Sequence, residues 1–150
     1  MSKIDFYHLS LSDVETVLLM LLKKTLAAGK KALILCPQPA ASALDTDLWA
    51  HEPDSWLAHG LDDADGKNIA KIWISTDMTS NPIEAEFVFL LHGSVPDDLS
   101  KFERVFNLFD GRSEAQVQQA RDQWKSWGDL ASADRGYFAE TDNGRWEKKA

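Results

Sequence analysis

The chain contains 150 residues, a length that suits one domain and allows about 68–70 % of the unfolded surface to be buried on folding. Apolar residues make up 44 % and charged residues 27 %, which is typical of a globular rather than a disordered protein. The 24 acidic and 16 basic side chains give a formal net charge of −8. Because DNA binding relies on a basic face that displaces counterions, this charge argues against broad direct contact with nucleic acid.

Export and membrane insertion are not expected. The longest apolar run, Val17 to Leu22, has six residues, whereas a membrane span needs about 20. The N-terminal residues lack the pattern of a secretory signal. Cys36 is the single cysteine and has no internal disulfide partner, which favours a reducing cytoplasm.

In chain order, residues 4–9 read as a strand, and Ser12 with Glu15 has capping-box spacing. The apolar periodicity that follows predicts a helix over residues 12–28, which Gly29 ends. The next predicted elements are a buried strand at 32–36, a helix at 40–50, a loop at 51–68, strands at 69–75, 86–92 and 102–109, and a helix at 113–128.

The order strand, helix, buried strand predicts a βαβ unit. We therefore expect a three-layer α/β/α domain with a mostly parallel central sheet, Rossmann-like, over residues 1–150. The sequence leaves open whether residues 131–150 are an ordered part of this domain or a loosely packed tail with aromatic anchors.

Catalytic motifs are absent from the sequence. Gly29-Lys30 lies after a helix and lacks the spacing of a phosphate loop, and no G-x-G-x-x-G occurs. The four His residues have no ligand spacing, and the acidic stretch 61–66 lacks the first and last carboxylates of a calcium loop. We expect no metal and no cofactor.

Cys36 is the candidate nucleophile on which the alternative interpretation, an enzyme, depends. It follows a strand at the carboxyl edge where α/β enzymes act, and a nucleophile there needs a base such as His8 or His92 within reach. The alternative function is then an α/β enzyme acting on a nucleotide or another small molecule. A buried structural thiol is the simpler interpretation.

The helix at 113–128 carries a stripe with recognition chemistry. At 3.6 residues per turn, Val117, Arg121 and Trp124 fall on one face, with Lys125 at its margin. An apolar floor beside two cations suits a short acidic peptide that ends in an apolar residue and a carboxylate. In the competing interpretation Trp124 is core and both cations are simply solvated.

A second aromatic stretch, residues 48–60, places Trp49 and Trp56 on either side of a loop that contains Pro53. The two indoles either cap the edge of the core or contact a partner subunit, and the pattern leaves both open.

The chain resembles the chi subunit family of bacterial DNA polymerase III, an accessory of the clamp-loader assembly, over nearly its whole length. The residues that carry the resemblance are Phe6-Tyr7-His8-Leu9, Gly29-Lys30-Lys31, Leu44-Asp45-x-x-Leu48-Trp49, Ser55-Trp56-Leu57-Ala58-His59-Gly60 and Ala120-Arg121-Asp122-Gln123-Trp124-Lys125. Trp56 and Ala58 replace the usual Phe and Pro, and Trp124 stands where Tyr is common.

The resemblance implies a non-catalytic connector in DNA replication. Its implied partners are the acidic C-terminal tail of single-stranded DNA-binding protein, and the psi subunit or a helicase. Carried over by motif, the tail site falls on Arg121, Trp124 and Lys125, on the stripe that includes Val117. The partner-subunit interface falls on Trp49 and Trp56, and nucleic acid is reached only indirectly.

Overall fold

A computed structural model describes residues 3–11, 14–38, 40–51, 59–61, 71–77, 81, 83–92, 94–96, 101–128, 134–141 and 145–149. The elements, in chain order, are β1 (Lys3–Leu9), α1 (Val14–Ala27), β2 (Ala32–Leu35), α2 (Ala40–His51), β3 (His59–Leu61), β4 (Ile72–Ser75), β5 (Phe87–Leu91), β6 (Arg104–Asp110), α3 (Glu114–Gly128), β7 (Asp134–Glu140) and β8 (Trp146–Lys148).

The described strands form one sheet in the order β3-β4-β2-β5-β6-β1-β7-β8. Every pair is parallel except β7 with β8, which is antiparallel. One apolar cluster packs α1 and α2 on one face of the sheet, and a second packs α3 on the other face. The predicted α/β class, with a mostly parallel sheet between helical layers, is confirmed.

Successive side chains along a strand point to opposite faces of the sheet, so each strand contributes residues to both apolar clusters. In β2, Ile34 points to the α1 face and Leu33 to the α3 face, and both are fully buried. A strand covered on both faces must be apolar at every position, which explains the uninterrupted runs in β2 and β5. The same alternation in β1 turns Phe6 toward α3 and Leu9 toward α1.

The helix boundaries agree closely with the sequence pattern. Gly29 has a φ of 76°, the left-handed conformation that a residue after a helix end adopts and that glycine takes without strain. Ser12 and the side chain of Glu15, which suggested the capping box, lie outside the described residues.

Three of the described strands, β3, β7 and β8, were not predicted from the sequence. Residues 51–68 were expected to be a loop, but His59–Leu61 forms β3 and pairs with β4. The segment 131–150 contains β7, which pairs in parallel with β1, and β8, whose Trp146 packs against the α1-face cluster. The described residues after 133 are therefore an integral part of the sheet.

Candidate functional site

Helix α3 begins at a polar cap and lies on the sheet through one apolar stripe. The Gln116 amide N–H donates to Ser113 Oγ at 3.3 Å, which satisfies one of the unpaired donors of the first turn. Ala120 and Trp127 are buried against the sheet, whereas Trp124 is only partly buried. The two indoles of α3 thus have different roles: Trp127 is core, and Trp124 lies where the core meets the surface.

Aromatic and cationic contacts fix the Trp124 indole in place. Its ring lies edge-on to Phe6, with centroids 5.4 Å apart, and edge-on to Tyr137 at 5.9 Å. The guanidinium of Arg135 lies 4.3 Å from the ring centroid and donates a hydrogen bond to the Trp124 carbonyl. Contacts of this kind orient an aromatic ring rather than merely bury it.

A groove of about 460 Å³ runs between α3 and the β7–β8 edge. We call it the α3 groove; its lining is Gln118, Arg121, Trp124, Lys125, Tyr137 and Lys149. Arg121 and Lys125 are exposed, and within the described part of the chain neither makes an ion pair. The groove therefore offers an indole, a phenol ring and three cations on a chain whose net charge is −8.

A second hollow of about 480 Å³ adjoins the groove and shares Gln118 and Arg121 with it. His8, at the carboxyl end of β1, lies in this hollow, with its Nδ1 2.9 Å from the Tyr137 hydroxyl. Partial burial lowers the pKa of His8, the positive charge of Arg121 lowers it further, and Asp110 opposes both effects. The imidazole thus stays neutral to lower pH than an exposed histidine.

Of the residues that the sequence predicts for tail binding, the α3 groove brings together Arg121, Trp124 and Lys125. Val117 is partly buried against the core and lines the adjoining hollow. The backbone of Trp49 is part of α2, but the structure does not describe its side chain. Trp56 lies outside the described residues.

The structure separates Cys36 from His8, one of the two bases that the enzyme alternative names. Cys36 is fully buried in the cluster on the α1 face, and its Sγ lies 3.7 Å from the Pro37 carbonyl oxygen. His8 contacts Phe109 and Tyr137 on the α3 face, so the sheet separates it from the thiol. Among the described residues, no group of three or more His, Cys, Asp or Glu side chains is placed to hold a metal ion.

The fold and the groove together define an α/β domain with an aromatic, cationic groove along helix α3. Residues 1–133 match the model of the family described as DNA polymerase III chi subunit, HolC, and the chain therefore belongs to this family. The resemblance drawn from the sequence motifs is confirmed, and with it a role in DNA replication as an accessory subunit associated with the DNA polymerase III complex.

Curated proteins give no match to this sequence. No described helix is both long enough and apolar enough to span a membrane.

Two residues of the α3 groove, Tyr137 and Lys149, lie after the last residue that matches the family model. Sequence reasoning missed both as site residues. The signal available was the alternation of β7, which turns Tyr137 to the same face as α3, but using it requires knowing that β7 lies beside β1.

Proposed function

We propose that this chain is a non-catalytic connector that joins the DNA polymerase III assembly to single-stranded DNA-binding protein, and that its α3 groove binds the acidic C-terminal tail of that protein. The observation that carries the proposal is one groove lined both by the Trp124 indole and by the cations Arg121 and Lys125. The family's role in replication and the single Cys36 favour the cytoplasm as the place of this activity.

The chemistry of the groove matches each part of such a tail. An apolar terminal side chain gains free energy by packing on an indole that is oriented and still partly open to solvent. Carboxylates of the tail pair with Arg121, whose planar fork suits bidentate contact, and with the point charge of Lys125. Because the chain as a whole is acidic, a patch of cations focuses an anionic ligand on this one surface.

The proposal is tested by titrating a fluorescent peptide that contains several Asp residues and ends in an apolar residue with a free carboxylate. We expect Arg121→Ala to weaken binding about tenfold or more, because a hydrogen bond to a charged group contributes about 1.5–3 kcal/mol. Lys125→Ala should weaken it by a smaller factor. Both side chains are exposed, so the thermal unfolding of each variant should match that of the wild-type protein.

Lys24→Ala is the matched control, since Lys24 is an exposed cation on α1, against the opposite face of the sheet. This change should leave the peptide affinity unaltered. Peptide affinity that does not respond to Arg121→Ala, or that falls equally with Lys24→Ala, contradicts the proposal. Raising the salt concentration should weaken binding, because exposed charges are screened over about 8 Å at 0.15 M.

For the second partner, we propose that the psi subunit or a helicase contacts the surface around Trp49 and Trp56. This rests on the family motifs that include the two residues, in a family whose members associate with the polymerase complex. The test is retention of purified psi protein, and separately of the helicase, by the wild-type chain and by a Trp49→Ala, Trp56→Ala variant. We expect the variant to lose at least one partner while keeping its affinity for the acidic peptide; retention of both partners contradicts the proposal.

A further inference from the structure

Strand β8 and the residue that follows it place two charged side chains on the α3 face of the sheet. In the antiparallel pair of β7 and β8, Glu147 is opposite Ala139 and Lys148 is opposite Phe138. The Lys149 amide N–H donates to the Tyr137 carbonyl at 2.7 Å, which continues the ladder by one residue. Since paired residues share a face, Glu147 and Lys149 point to the α3 side, and Lys148 points to the other side.

These two side chains form an ion pair in the free protein. Lys149 Nζ lies 3.3 Å from Glu147 Oε1, and more than half of each side chain is exposed. Exposed pairs of this kind contribute little to stability, because water and salt compete for both charges. Lys149 can therefore exchange one carboxylate for another at small cost.

We propose that Lys149 is a third cation for the acidic ligand of the α3 groove, and that Glu147 is an internal competitor which occupies it until the ligand binds. The inference rests on the proposed function of the groove and adds to it residues that lie outside the family match. The backbone bond to Tyr137 fixes Lys149 across the groove from Lys125, so an acidic peptide lies between cations on both sides. The bound carboxylate takes the place of Glu147 on Lys149.

The test measures the affinity of the same fluorescent acidic peptide for four variants of the full chain at 0.15 M salt. Lys149→Gln should weaken binding about twofold to fivefold, the range typical of an exposed ion pair. Glu147→Gln should strengthen binding by a similar factor. Lys148→Gln changes the net charge equally at the neighbouring position and should have a clearly smaller effect. Glu103→Gln, which removes another exposed acid paired with a lysine, is the control for Glu147→Gln.

The double variant Glu147→Gln, Lys149→Gln separates competition from a general effect of charge. Since Glu147 is proposed to act through Lys149, its removal should give no gain when Lys149 is absent. An equal gain in both backgrounds, or equal losses for Lys148→Gln and Lys149→Gln, overturns the inference. If Arg121→Ala weakens binding but Lys149→Gln does not, this inference alone fails; if the wild-type chain does not bind the peptide, the proposed function fails as well.

Discussion

Trp124 is only partly buried, whereas Trp127 on the same helix is core, so truncating each residue tests whether Trp124 belongs to the groove or to the core. Truncating a fully buried Trp to Ala costs about 3–5 kcal/mol, and Trp127, only 8 % exposed, should lie near the middle of that range. The Trp124 indole already keeps part of its surface in water, so its truncation removes less buried area, but it also removes the edge contacts with Phe6 and Tyr137. We therefore expect Trp124→Ala to lower the free energy of unfolding by about 2–3 kcal/mol, clearly less than Trp127→Ala.

The assay is urea unfolding followed by far-ultraviolet circular dichroism, because fluorescence is altered by the loss of an indole. The conservative Trp124→Phe variant keeps a ring on the groove floor and should cost about 1 kcal/mol while retaining most of the peptide affinity. Trp124→Ala should reduce the affinity about tenfold or more. Equal losses of stability for Trp124→Ala and Trp127→Ala would show that Trp124 is core, and an unchanged affinity would remove it from the binding surface.

Three further expectations concern His8 beside the groove and two close contacts elsewhere in the sheet. The lowered pKa of His8 means that just below pH 6.5 the unfolded chain binds more protons than the folded chain, so the free energy of unfolding should fall as the pH drops through that range. In Arg121→Gln the pKa of His8, followed by nuclear magnetic resonance, should rise because a positively charged neighbour is removed. Gly111→Ala places a Cβ 2.0 Å from His8 Nε2 and should cost about 1–3 kcal/mol in urea unfolding; a stability equal to wild type would show that this approach is not tight. Arg104→Met leaves the buried Asp5 carboxylate without its ion-pair partner and should lower the free energy of unfolding by about 3 kcal/mol, and a loss under about 1 kcal/mol contradicts the pairing.

Local sequence pattern was enough for the class of fold and for the helix that carries the candidate site. The all-apolar run of β2 indicated a strand buried on both faces, and the helical spacing of Arg121, Trp124 and Lys125 placed them on one side of α3. Spacing alone did not decide whether Trp124 is core or surface. That depends on Phe6 and Tyr137, which come from distant parts of the chain.

The parts that the sequence did not predict are held by pairing between distant strands. Three residues around Gly60 are too few to show periodicity, and they form β3 only because β4 offers an open edge. Residues 134–140 are rich in polar side chains, yet they form a strand because six residues of β1 pair with residues 134–139 and supply backbone donors and acceptors beside them. Lys149 in turn lines the groove because its backbone N–H bonds to Tyr137 of β7.

The most direct measurement of where the acidic tail binds is a titration of the ¹⁵N-labelled chain with the peptide, following the indole N–H signals by nuclear magnetic resonance. The Trp124→Phe spectrum identifies the Trp124 signal, and a Trp73→Phe spectrum identifies an indole that is fully buried. We expect the Trp124 signal to shift in step with the binding curve, with Trp73 unchanged, and the shift to be lost in Arg121→Ala at the same peptide concentration. Saturable binding that leaves the Trp124 signal in place would mean that the acidic tail is bound elsewhere on the protein.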